Sequence, residues 1–119
     1  MQEKNKGWNI VKQDERYVVT DNSTLNNLVA STTYLNPSHS TTGHKHPGQE
    51  EVYIFMQGSG SMEIDARTLA VKAGDVVLIE DGEFHQVHSS FVDSTTDELE
   101  RFLYISPDLS KESLKSKKE

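Results

Sequence analysis

Turn residues divide this chain so regularly that they leave room for short strands and little else. Asn36-Pro37, Gly58-Ser59-Gly60, Ala73-Gly74-Asp75 and Asp81-Gly82 separate runs such as LVASTTYL, EEVYIFM, TLAVK, VVLIE, FHQVHSS and RFLYIS. These runs are rich in β-branched and aromatic residues, which suit a pleated surface. Strands recurring at roughly ten-residue intervals with turn signals between them predict an all-β sandwich or barrel. No stretch of the body repeats its apolar residues with helical period. The reading is one all-β domain over 16–106, preceded by a polar arm over 1–15 and followed by a Lys-rich tail over 107–119. Trp8 and Ile10–Val11 are the arm's anchors, so it is expected to lie across the domain or pair with a sheet edge. STTDELE reads as a loop, and the tail as a solvated segment with at most a short helix from about Ser106.

Composition narrows the partners. The 119 residues suffice for one domain and carry a formal charge of −7, which argues against a phosphate-backbone surface and hence against nucleic acid. No apolar run approaches the ~20 residues of a membrane span. The N-terminus lacks the apolar centre of a secretory signal. Cysteine is absent, which removes disulfides, thiolate zinc sites and cysteine nucleophiles and fits a cytoplasmic location.

The chemistry concentrates in Gly43–Gly58, GHKHPGQEEVYIFMQG. His44 and His46 stand two apart, as do Glu51 and Tyr53, and in extended chain residues two apart share a face. One face therefore collects two imidazoles, a carboxylate and a phenol, with Lys45 and Val52 on the other. Further on, Gly82 is read as a tight turn that returns the chain so that His85 points into the sheet interior. His44, His46, Glu51 and His85 together make a nitrogen and oxygen donor set for one divalent iron, manganese, nickel or zinc ion. His88 has the opposite parity to His85, and His39 sits in a loop before the pair.

At these residues the sequence resembles the cupin family. The spacing of His44, His46, Glu51 and Gly58 matches the family's first motif, and Gly74, Gly82 and His85 match its second. Ser38 stands where the first motif opens with glycine, Glu80 where proline is usual, and Ser89 where the second motif ends in asparagine. None of the three is a ligand position. The resemblance covers about residues 30–105 and implies a cupin-type double-stranded β-helix, or jelly-roll barrel, with the metal inside, usually as a dimer.

Several activities fit that constellation. EVYIFMQGSGSM is similar to the archaeal cupin-type glucose-6-phosphate isomerases at Glu51, Tyr53, Gly58, Gly60 and Met62. That similarity implies a metal-dependent isomerase of a sugar or sugar phosphate acting through an enediolate, with Tyr53 or Glu51 nearest the moving proton. Thr41 and Thr42 are the candidate substrate contacts, and the substrate is expected to be a small oxygen-rich or anionic molecule. No arginine or lysine near the motif faces inward, Lys45 having the wrong parity. A lyase of the dimethylsulfoniopropionate-cleaving kind, an iron dioxygenase and a non-catalytic ligand-binding barrel remain open alternatives. One further pattern bears on assembly. Val52, Ile54 and Met56 form an apolar stripe on the face away from the metal, where an exposed antiparallel sheet would be polar. A homodimer burying that stripe is expected.

Overall fold

The structure, a computed structural model, describes residues 6–90 and 100–107. Every regular element among them is a strand: β1 Trp8–Gln13, β2 Tyr17–Asn22, β3 Leu28–Leu35, β4 Glu51–Gln57, β5 Ser59–Ile64, β6 Arg67–Lys72, β7 Val76–Ile79, β8 His85–Ser89 and β9 Glu100–Pro107. The strands pair antiparallel in two sheets, one ordered β1-β2-β3-β9-β4-β7 and the other β6-β5-β8. No described helix is long and apolar enough to cross a membrane. The loop expected over STTDELE lies outside the described residues except for Glu100, as does the helix expected in the tail beyond Pro107.

The two sheets are the walls of a jelly-roll barrel, and their facing residues form its core. Along β4, Glu51, Tyr53 and Phe55 are buried while Val52 and Ile54 are half-exposed, which is the period of two expected of a strand with one inward face. Leu35, Phe102, Met62, Ile64, Val71, Ile79 and Val87 fill the space between the sheets.

Two turns behave differently from the sequence reading. By sequence, Gly58 and Gly82 mark tight turns between neighbouring strands. In the fold β4 and β7 belong to the large sheet, and β5 and β8 to the small one. Both turns therefore pass the chain from one wall to the other. Both glycines have positive φ, 81° at Gly58 and 77° at Gly82, a backbone that side chains disfavour. The crossing still delivers His85 to the interior, because β8 enters the small sheet with its first side chain turned inward.

The polar stretch before the histidine pair is also more ordered than its composition suggests. Residues 38–44 run antiparallel along the free edge of β8, with bridges from Ser40 to His88 and from His44 to His85. Thr41 N donates to Val87 O at 2.9 Å, and His44 and His85 exchange backbone hydrogen bonds at 3.2 and 2.9 Å. Gly43 permits this approach, since a Cβ there would overlap the Phe84 ring. The arm contributes β1, an edge strand paired with β2.

Candidate metal centre

The first ligand candidates ride on the edge segment. His44 is fixed by its two backbone bonds to His85, and His46 follows two residues on. Glu51 opens β4 and His85 opens β8, so the two facing sheets supply one buried group each. Ring centroids lie 4.5 Å apart for His44–His46, 4.8 Å for His44–His85 and 5.8 Å for His46–His85. One nitrogen from each of the three falls within 4.8 Å of the others. That is the spread of ligands around a common ion.

Glu51 completes the set. Its Oε1 lies 2.7 Å from His85 Nε2, and the two side chains are 4% and 2% exposed. The pair is close but not aligned as a hydrogen bond, and both atoms are buried without a hydrogen-bond partner. Orphaned buried polar atoms are costly, so two of them side by side call for a third party. A cation between them fits. His85 Nδ1 donates to Glu83 O at 3.0 Å, and because a carbonyl only accepts, Nε2 is left with its lone pair directed into the site. Gln49 Nε2 donates to Glu51 Oε2 at 3.4 Å. His88 does turn away: its Nδ1 meets Ser40 Oγ at 2.5 Å and its Nε2 meets Glu63 Oε1 at 2.7 Å.

Without metal the site's groups disturb one another. His44 holds its proton less readily than usual, first because it is partly buried, then because His85, His46 and Lys12 add positive charge. Burial pulls His85 the same way, but Glu51 and the Glu83 carbonyl outweigh it and raise its proton affinity. Tyr53 is pushed well above the ordinary phenol range by burial, with the Glu51 charge and Tyr104 adding to it.

A cavity of about 330 Å³ opens beside this centre. Tyr17, Thr33, Tyr53, His85 and Phe102 are its buried residues, while Val11, Lys12, Thr42 and His44 are its exposed ones. The Tyr53 ring stacks on Tyr104 at 5.0 Å and meets His85 edge-on at 5.6 Å. Thr41 and Thr42 both line the space. The Thr41 hydroxyl accepts from Val87 N at 3.0 Å, whereas Thr42 Oγ1 lies 3.3 Å from both Tyr17 OH and Arg16 Nη1. Glu51 is not on the cavity wall.

Five polar wall residues escaped the sequence reading: Lys12, Tyr17, Asp21, Thr33 and Tyr104. Alternation along RFLYIS places Phe102 and Tyr104 on one face and would have found the last of them. Nothing local flags Lys12, whose place depends on the pairing of the arm. Its ammonium sits 5.2 Å from the Tyr17 ring centre. Burial raises the Tyr17 proton affinity, but hydrogen bonds from Lys12 and Thr42 and the charges of Lys12 and Arg16 bring it below the usual value.

Comparison with known proteins places these features among relatives. A family profile described as a cupin domain matches residues 31–95. An oxalate-binding protein of Thermotoga maritima is 34% identical over 56 residues, 47% of this chain and 46% of the relative, so the chain spans about half the length of that relative. The structure of a predicted oxalate decarboxylase of Thermotoga maritima aligns with a TM-score of 0.62 and 25% identity, over 76% of this chain and 80% of that one. The polyketide cyclase RemF of Streptomyces resistomycificus aligns with a TM-score of 0.71 and 20% identity, over 90% and 80%. The RemF likeness speaks for the fold alone.

Proposed function

This chain belongs to the cupin domain family, and from that membership we propose that it binds one divalent metal through His44, His46, Glu51 and His85 and isomerises a sugar or sugar phosphate. The observation that carries the reading is the hydroxyl-lined cavity beside the ligand cluster, where Tyr17, Thr33, Thr41, Thr42, Tyr53 and Tyr104 surround about 330 Å³. Such a wall offers paired donors and acceptors to a polyhydroxylated molecule and is larger than a two-carbon acid requires. A divalent cation, when bound, would hold two adjacent substrate oxygens, stabilise charge developing on them and lower the proton affinity of a nearby phenol. Tyr53 faces the cavity at the closed end, so it is assigned the proton that moves between neighbouring carbons. Glu51, beside His85 and off the cavity wall, serves as a ligand. Tyr104 packs flat on Tyr53 and holds that ring in place.

The test is hydrogen exchange. Protein loaded in turn with manganese, iron, nickel or zinc is incubated in deuterated water with aldoses, ketoses and their phosphates. Isomerisation with deuterium at the carbon beside the carbonyl is expected with at least one metal, falling roughly 10²- to 10⁴-fold in Tyr53→Phe while ligand binding persists. Absence of exchange with every metal overturns the isomerase. Cleavage of a sulfonium substrate would move the reading to a lyase, and oxygen uptake with iron to a dioxygenase.

A second reading follows from the oxalate-binding relative: a barrel that holds a small dicarboxylate on the metal without turnover. On this reading oxalate binds stoichiometrically in calorimetry, and because it carries no C–H bond it gives no exchange in the assay above.

We also propose that two copies pair through the outer face of the large sheet. Val52 and Ile54 lie beside Leu78 and Val76 on β7 and beside Ile105 and Leu103 on β9, one apolar surface over three strands. Leu78 is 67% exposed and Val76 59%. Water-facing apolar surface of that continuity is a mark of association. Sedimentation at micromolar concentration is expected to show a dimer, and Val76→Lys with Leu78→Lys a monomer that still binds metal. A monomeric parent chain would refute the pairing.

A further inference from the structure

We propose that Lys12 recognises an anionic group on the substrate, which makes the β1 edge strand part of the pocket and the preferred ligand a phosphorylated or carboxylated polyol. This deepens the function proposed above and rests on it.

The placement of Lys12 comes from an irregularity in the sheet. On β1, Ile10 pairs with Thr20, but Lys12 pairs with Val19. An unbroken ladder would have set Val11 against Val19 and Lys12 against Val18, on the outer face. The extra residue turns Lys12 to the inner side instead, and Val11 and Lys12 both line the cavity. Bulges are found where a side chain must be re-aimed, often beside active sites. A lysine on an edge strand commonly serves to repel a second strand. That role requires neither the bulge nor a place on a cavity wall.

Among the described residues Lys12 enters no ion pair, and its hydrogen bond to Tyr17 leaves ammonium donors over. Arg16, the other cation nearby, is held by Asp14, with Nη2 2.8 Å from Oδ2 and Nε 3.3 and 3.2 Å from the two oxygens. Its remaining donors reach Thr42 and Tyr17, so Arg16 braces the wall. Asp21, the carboxylate on the cavity wall, accepts from Ser31 Oγ at 2.7 Å and forms no ion pair with Lys12. Lys12 rests over the Tyr17 ring on the exposed side of the cavity, the side that also carries His44. A ligand whose oxygens reach the metal cluster and whose anionic group remains near the opening would meet both.

Binding of unreactive probes separates this idea from the isomerase reading. Calorimetry on the zinc-loaded full chain compares sorbitol with sorbitol 6-phosphate and with gluconate. A charge-assisted contact predicts that one or both anions bind roughly 10- to 100-fold more tightly than sorbitol. Lys12→Met should remove most of that advantage and leave sorbitol affinity and zinc content unchanged, while Lys12→Arg should restore most of it. Whichever anion gains more names the group. Equal affinity for sorbitol and both anions, or an advantage that survives Lys12→Met, overturns the role of Lys12 and leaves the isomerase standing. Failure of the parent chain to bind any of the three brings down the polyol reading and this inference with it.

Discussion

Replacing His85 by alanine is expected to abolish stoichiometric metal binding and the thermal stabilisation that metal confers. His85 is 2% exposed, its Nδ1 proton is committed to the Glu83 carbonyl, and its Nε2 lies 2.7 Å from Glu51 Oε1 without a hydrogen bond. In the metal-free protein that leaves a buried acceptor beside a buried carboxylate oxygen, an arrangement relieved by a proton on His85 or by a bound cation. A metal that binds only the folded chain stabilises it by about 2.7 kcal/mol at a hundredfold excess over Kd. In a domain of this size that is a rise of roughly 10 °C or more in the melting temperature. Parent protein stripped of metal and titrated with zinc should bind one equivalent and show that rise once free zinc reaches a hundredfold excess over Kd, and His85→Ala should show none. His88→Ala is the control, because His88 is spent on Ser40 and Glu63. Full metal occupancy in His85→Ala would remove the assignment, as would equal loss in His88→Ala.

The contrast between those two histidines shows what could be read from the chain directly. They stand three apart in one strand, so parity alone separates them, and the buried one is the one that parity selects. The same rule placed Glu51, Tyr53 and Phe55 on the inner face of β4. The barrel itself follows from turn spacing together with the motif spacing. Pairing information is what the chain hides. Which sheet a strand joins depends on partners far away in sequence, so Gly58 and Gly82 read as simple tight turns although they carry the chain between walls. Ser38–His44 looks like loop because its hydrogen bonds go to β8, some forty-five residues on, and polar composition says nothing about that.

The three departures from the cupin motifs acquire physical meaning in the same way. Ser38 adopts φ 62°, the left-handed conformation for which glycine is suited, so the serine is accommodated under strain. Ser89 Oγ donates to Asn36 O at 2.6 Å and accepts from His39 N at 3.2 Å, which ties the loop before the ligands to the end of β8. At the third position, Glu80 N donates to Glu83 Oε1 at 2.7 Å, closing the turn that proline would have stiffened. Lys12 was invisible for a different reason. A one-residue bulge inverts the parity that sequence reasoning relies on, and nothing in WNIVKQ announces it.

Phe102→Ala is expected to cost the folded state about 3–5 kcal/mol, a large part of the stability of an ordinary domain. Phe102 sits on β9, the strand that joins the β1-β2-β3 half of the large sheet to β4 and β7. Its ring is 1% exposed and packs 5.4 Å from Phe55, 5.6 Å from Tyr53 and 6.3 Å from Tyr104. Truncation removes that burial and leaves a void that the surrounding rings, each held by its own strand, fill only in part. Phe102→Leu keeps much of the volume and should cost less than half as much. The loss should appear as a lower urea midpoint with an unchanged slope, since the surface exposed on unfolding is nearly the same. The effect should also extend past stability, because Phe102 lines the cavity and supports Tyr53 from below. Zinc content, set by ligands on other elements, should survive in the variant while polyol affinity falls. A destabilisation under about 1 kcal/mol would mean that the aromatic cluster is not the core that holds the two halves of the sheet together.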